Sequence, residues 1–304
     1  MAEYNAHCKQ LSSFILWETE ALFKTNDVVL CTINAISVAF AILINLLIAI
    51  VMKKKDLIKT PCHILVFSLT AIDLVAALVP KPLYIDLRLA IYREHVTSCS
   101  LNRKARVTES AIIFCVGCSF LHLVCIARDR CNALCHPVRY RTPGKMKVTT
   151  WLACGCWVTW GIIVVLIESG VFAERTQLAI RGSIAVLLLG SLAIYQVKTI
   201  LIVFRYNHSV INDINSLEVQ RLVMREKKVL TDTRITLAIF SLLFIPTAIL
   251  SVTQPSGLYA NVVFPWSMAI TLLNSSINPL IQLWRNRRLL RVITESLFGG
   301  LTRP

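Results

Sequence analysis

Asn45, Asp73, Ser119, Asn274, Ser275 and Asn278 are polar side chains set in sequence so apolar that little water is left to them. Asp73 is the sharpest case. It lies in FSLTAIDLVAAL, and a carboxylate at such depth costs at least ~2.5–3.5 kcal/mol on insertion scales. Asp is too short to reach an interface, so chance placement is a poor account of it. Each neutral residue alone reads as a hydrogen bond between packed helices, and for a lone Ser that reading is favoured. Together with a carboxylate they form an oxygen-rich set suited to a small cation such as sodium, with Asp73 and Ser119 as its ligands. No other metal and no cofactor is expected.

A second cluster has the chemistry of ion pairing. In CIARDRCNALCHPVRY an apolar run ends in Arg128, Asp129 and Arg130. REKK at 225–228 places Glu226 at the entrance to another apolar run. Arg130 either snorkels to the interface or pairs with Glu226 across two helices. Where water reaches such a pair its worth is small, yet with Asp129 it can bias a bundle with two conformations. Pro246 and Pro279 lie within apolar runs, where each frees a carbonyl and bends the helix, so they are candidate hinges.

The elements that must position these groups follow from hydropathy. Of 304 residues 56% are hydrophobic and 16% charged, too few charges for a soluble domain of this length. A bilayer core of ~30 Å needs ~20 mostly apolar residues per helix. Seven stretches qualify, at 28–52, 62–84, 107–127, 149–171, 181–204, 235–254 and 260–284. The expected fold is an all-α seven-transmembrane bundle over 28–284, with an N-terminal segment 1–27 and a tail 285–304. In RNRRLLRVITESLF the residues Leu289, Leu290, Ile293 and Leu297 share a face, which predicts a short amphipathic helix on the bilayer surface. The opening 23 residues lack the pattern of a cleavable signal peptide, so insertion is expected to rest on the first span.

The net charge of +15 would suggest nucleic acid in a soluble protein. Here most Lys and Arg fall in alternate loops, after the first, third and fifth spans, and in the tail. The positive-inside rule makes those loops cytoplasmic and the N-terminus extracellular, so the charge needs no nucleic-acid partner. Most of the 11 cysteines lie in apolar runs as small hydrophobes. Cys8 and Cys99 fall in segments expected outside, either joined as a disulfide or left as free thiols. His63, His122 and His136 have no metal-ligand spacing, and His122 reads as a packed or hydrogen-bonded histidine. Neither repeated halves nor broken helices suggest a transporter.

These residues resemble the rhodopsin-like (class A) G protein-coupled receptors over nearly the whole chain. Asn45 looks like the landmark of the first helix, LTAIDL that of the second, ARDRCNALCHPVRY the Asp-Arg-Tyr motif, and Trp157 the fourth-helix tryptophan. Phe240, Phe244 and Pro246 resemble the sixth-helix Phe–Trp–Pro series, and NSSINPLIQ the seventh-helix Asn-Pro motif. The resemblance implies no enzymatic chemistry. It implies a plasma-membrane receptor that binds an extracellular small-molecule, lipid or peptide ligand and couples to a heterotrimeric G protein, with arrestin as a further partner. It also implies an allosteric sodium pocket at Asp73, Ser119, Asn274, Ser275 and Asn278, and a latch at Asp129, Arg130 and Glu226.

The sequence departs from that pattern at several points. Cys131 replaces the tyrosine after the arginine, Phe244 the tryptophan switch, and Gln282 the tyrosine that ends the Asn-Pro motif and normally meets Tyr195 through water. These losses motivate an alternative: a receptor-shaped decoy, chaperone or dimer partner that does not signal. Ile112 stands in place of the amine-binding Asp, Leu272 of the retinal-linking Lys, and Ala269 of the arginine of prostanoid receptors. The resemblance thus points away from amines, retinal and prostanoids. Lys81, Tyr84, Glu109, Ile112, Ile113, Trp160, Glu168, Tyr259 and Trp266 are the candidate lining of a ligand crevice. Glu109 and Glu168 either bind a cationic group or pair with Lys81 or Arg106.

Overall fold

A computed structural model describes residues 21–93, 98–135, 140, 144–212, 242, 262–285 and 287–298. Among these residues nine helices are described, in chain order: α1 (Ala21–Lys54), α2 (Pro61–Leu78), α3 (Pro80–Arg93), α4 (Ser98–Cys135), α5 (Lys145–Glu168), α6 (Glu174–Asn212), α7 (Phe264–Leu272), α8 (Asn274–Arg285) and α9 (Arg287–Phe298). Five runs among the described residues are long and apolar enough to cross a bilayer: 24–54, 61–93, 99–135, 145–168 and 179–202. The expected sixth span, 235–254, lies outside the described residues apart from Leu242.

Several helices outrun the spans expected from hydropathy. The third was expected at 107–127 and runs from Ser98 to Cys135, and the second reaches Arg93 rather than residue 84. A threshold of ~20 apolar residues measures only the hydrocarbon core. Backbone hydrogen bonding continues into polar sequence where side chains at the ends find partners.

Local sequence sets the boundaries. Thr60 caps α2 by accepting from the His63 N–H, and Pro61 opens the helix. Pro80, with no N–H to donate, separates α2 from α3 at Val79. Gly144 precedes α5 at φ +89° and Gly170 follows it at φ +79°, left-handed conformations that favour glycine. The last span is broken at Leu273 between α7 and α8, and Pro279 lies inside α8.

Helix α4 is the central post, packing on α2, α3, α5, α6 and α7. The main core gathers Leu65, Leu69, Ile72, Cys118, Phe120 and Leu123, with Leu289 and Ile293 of α9 closing one end. Leu290, expected on the same apolar face of α9, is exposed, and Val292 is partly buried against the main core. Val148, Trp151, Val158, Val165, Val186 and Leu187 are exposed on the outside of the bundle, as expected where lipid rather than water is the solvent.

At Gly117 of α4 an added Cβ would lie 1.9 Å from the Trp160 ring. This absence of a side chain lets the α5 indole pack directly on the α4 backbone, where its N–H donates to the Ile113 carbonyl at 3.1 Å.

Candidate functional site

The two ends of the bundle differ in charge. One, called here the basic end, carries Lys53, Lys54, Lys55, Arg128, Arg130 and Lys145. The far end mixes the signs, with Asp27, Asp86, Glu109 and Glu168 set among Lys24, Arg88, Arg93, Arg103, Lys104, Arg106 and Arg181. Polar groups are also buried between the two.

Midway, Pro279 removes the backbone donor that would have bonded the carbonyl of Ser275. Asn45 of α1 fills that vacancy, its Nδ2 donating to the Ser275 oxygen at 3.0 Å and to the Ala41 oxygen at 2.9 Å. One turn on, Asn278 Nδ2 donates to both oxygens of Asp73, at 3.1 and 3.0 Å. Ser119 of α4 hydrogen-bonds the same carboxylate. Asp73, only 1% exposed, is thus bonded by groups from α8 and α4. The oxygens Asn45 Oδ1 and Asn274 Oδ1 have no donor among the described residues.

Lys81, expected in an outer crevice, is instead turned inward and fully buried. Its ammonium donates to Ser37 Oγ at 2.7 Å, Ser276 Oγ at 2.9 Å and the Ser37 carbonyl at 3.4 Å. The two hydroxyls are themselves 2.8 Å apart. Lys81 and Asp73 feel one another's charge. The oxygens of Asp73, Ser119 and Asn274 suit a sodium ion in type, but the positive charge that sodium would bring is already supplied. On charge the residues do not fit the ion, and no step is derived through it.

At the basic end, Asp129 is buried and accepts from the Tyr140 hydroxyl at 2.8 Å. Lys145 lies over the Tyr140 ring at 4.4 Å. Burial and the adjacent Asp129 carboxylate push the Tyr140 phenol above its usual range, keeping it a donor at neutral pH. Arg130 lies near the Cys62 thiol of α2, with Asp129 and Tyr140 also acting on its charge. Glu226, its expected partner, lies outside the described residues, as do Phe240, Phe244, Pro246 and Tyr259.

At the far end Glu109 and Glu168 have a partner that neither expectation named. Both meet Arg181 of α6, at 2.6 Å for Glu109 and in close contact for Glu168. Arg88 of α3 grips Asp27 of α1 in a buried ion pair. The Tyr84 hydroxyl donates to the Pro265 carbonyl at 2.7 Å, and Trp266 Nε1 to Asn26 Oδ1 at 2.5 Å. Ile112 and Trp160 are buried, and Ile113 is partly buried against the main core. Of the candidate crevice residues described, Glu109 and Glu168 share one partner, while Tyr84 and Trp266 tie α3 and α1 to α7. Cys99, at the start of α4, is disulfide-bonded to a residue outside the described set.

Gln282 is buried and accepts from the Thr70 hydroxyl at 3.3 Å, and Tyr195 packs against the main core. His122 completes a relay that the sequence leaves open. Its Nδ1 faces the Cys118 carbonyl at 2.8 Å and therefore carries the proton in the neutral ring. Nε2 then accepts from Ser68 at 2.8 Å, and Ser68 accepts from Trp157 Nε1 at 3.0 Å. This relay joins α4, α2 and α5. Among the described residues no group of three or more His, Cys, Asp or Glu could hold a metal ion.

The family model described as 7 transmembrane receptor (rhodopsin family) matches residues 44–281. That stretch runs from the residue before Asn45 to the third residue past Asn278, and contains the whole mid-bundle network except Ser37. No curated protein matches the chain.

Proposed function

The chain belongs to the rhodopsin family of seven-transmembrane receptors, and from that premise we propose that it takes an extracellular ligand between its helices and activates a heterotrimeric G protein at its basic end. The observation that carries this reading is the arrangement at Asp129 and Arg130. Asp129 is occupied by Tyr140, which leaves the adjacent Arg130 to lie against the Cys62 thiol of α2. Among the described residues the thiol beside Arg130 is a weak partner for a guanidinium, and a protein surface that offers a stronger acceptor would compete for it. In this reading the basic end faces the cytoplasm, as its lysines and arginines require. The far end faces outward, and the protein resides in the plasma membrane.

In the ligand region, Arg181 joins α6 to the carboxylates of α4 and α5. A ligand that engages any member of this triad changes how three helices are held together. A large displacement is not required for that, only a preference for one arrangement over another. The reading is tested by guanine-nucleotide exchange in membranes containing the protein and a set of G proteins. Arg130→Ala is expected to abolish exchange while surface levels stay unchanged. Full exchange by that variant would remove Arg130 from the coupling site.

A second reading, a receptor-shaped partner that does not signal, draws on Gln282. Its side chain meets Thr70 of α2, whose hydroxyl is shared with the Val66 carbonyl, where the resemblance leads one to expect a tyrosine. Gln282→Tyr distinguishes the two readings. Exchange gained in the variant and absent from the parent favours the silent form.

A further inference from the structure

We propose that Lys81 is the resident cation of the bundle core: its ammonium, seated on Ser37 and Ser276, supplies the positive charge that a sodium ion would bring to the Asp73 region, so the core is balanced without sodium. The cradle is complete. An ammonium has three N–H donors, and three oxygens receive them: Ser37 Oγ, Ser276 Oγ and the Ser37 carbonyl. They come from α1 and α8, whereas Lys81 itself is on α3. The side chain has no exposure, so the charge has no solvent to retreat to.

The carboxylate side is equally provided for. Asp73 has both oxygens bonded by Asn278 and receives a further bond from Ser119. One buried carboxylate and one buried ammonium in mutual electrostatic contact leave this part of the core neutral. A sodium ion added here would bring a net positive charge into a medium with little capacity to screen it, and would face the Lys81 charge directly. The oxygens Asn45 Oδ1 and Asn274 Oδ1 lack donors among the described residues, so suitable ligands for an ion remain nearby. What excludes the ion is charge and not the absence of oxygens. The same tether has a mechanical consequence: α8 cannot move away from α1 and α3 without breaking the Ser276–Lys81 bond.

The test reads stability and needs neither ligand nor G protein, so its outcome is independent of the function proposed above. The purified full chain in lipid nanodiscs is melted in sodium chloride and in choline chloride of equal ionic strength. Unfolding is followed through the buried thiols Cys115, Cys118 and Cys156 with a thiol-reactive dye. The parent protein is expected to melt at the same temperature in both salts. Lys81→Met should acquire a sodium-dependent rise in Tm of several degrees, since only the folded state offers the vacated site. Adding Asp73→Asn to Lys81→Met should remove that rise.

A sodium-specific rise in the parent that Asp73→Asn abolishes would overturn the proposal. So would a folded Lys81→Met protein that stays indifferent to sodium. Should Lys81→Met fail to fold alone, the charge-free double variant Asp73→Asn/Lys81→Met is expected to recover folded protein. Failure of that rescue would show that the two groups are not counter-ions, and the proposal would fall.

Discussion

In the middle of the bundle, Asp73 and Lys81 form no direct ion pair; neutral amides and hydroxyls from α1, α4 and α8 surround each of them. At the far end the arrangement is reversed. Arg88 grips Asp27, and Arg181 grips Glu109 and Glu168, by direct contact between opposite charges. The far-end triad retains some exposure, with side chains 17–23% accessible, whereas Asp73 and Lys81 have 1% and 0%. Depth explains part of the contrast. A direct pair satisfies charge but leaves lone pairs and N–H groups to be met, and deep in a membrane only other side chains can meet them. The centre therefore spreads its contacts over several helices, and a change in helix arrangement disturbs many small bonds in place of one large one.

The comparison predicts a ranking of single substitutions. Arg88→Met should have the largest effect, because it strands the Asp27 carboxylate in a site only 4% exposed. Loss of one partner from a buried pair costs about 3–5 kcal/mol. Melting of the purified protein should show the loss, and Asp27→Asn/Arg88→Met should regain much of it. Asp73→Asn also strands a charge, that of Lys81, but Lys81 keeps its three neutral acceptors, so the cost should be smaller, about 1.5–3 kcal/mol. An Asp73→Asn penalty greater than that of Arg88→Met would mean that direct pairing governs the centre as well.

The contrast was only half legible in the sequence. Hydropathy located the spans because solvent by lipid demands long apolar runs, and Asp73, Asn278 and Ser119 stood out as polar groups within them. Their meeting around one carboxylate follows from helix packing that the landmarks anticipated. Lys81 was misplaced because it sits near the end of the expected second span, where a lysine ordinarily snorkels. The helix in fact continues to Arg93, which puts Lys81 well inside the bundle. A usable signal was present: a second charge of opposite sign eight residues after Asp73, beside Pro80 and Pro82. Ser37 and Ser276 gave no such signal, since a lone serine in an apolar helix most often bonds its own backbone. Arg181 carries no signal of its own in the sequence, since a charge at the start of an apolar run ordinarily meets water.

Two substitutions of neutral groups sharpen the comparison at smaller scale. Ser276→Ala removes one of the three acceptors of Lys81 and a contact with Ser37. It should cost about 1–3 kcal/mol, the penalty for a buried donor left unmet. Ser68→Ala breaks the relay between Trp157 and His122 at its middle member. It should cost about 1–2 kcal/mol, nearer the low end if the membrane-embedded unfolded state finds other partners. Equal losses in Ser68→Ala and Ser276→Ala would indicate that the charge on Lys81 adds nothing to the hydrogen bond it makes.

The smallest effect is expected where the far end meets water. Lys104 and Asp86 are 2.7 Å apart, shorter than many stronger interactions, but their side chains are 40% and 58% exposed. Water and ions compete for both groups, and holding two flexible side chains together costs entropy. Lys104→Ala should shift stability by less than about 1 kcal/mol, and raising the salt should shrink even that difference. The same salt should leave the Arg88→Met penalty nearly unchanged, because the Asp27–Arg88 pair is buried. Melting curves of the parent and both variants at low and high choline chloride decide the matter. If Arg88→Met proves as salt-sensitive as Lys104→Ala, then water reaches the Asp27 site, and burial is not what separates the strong far-end pair from the weak one.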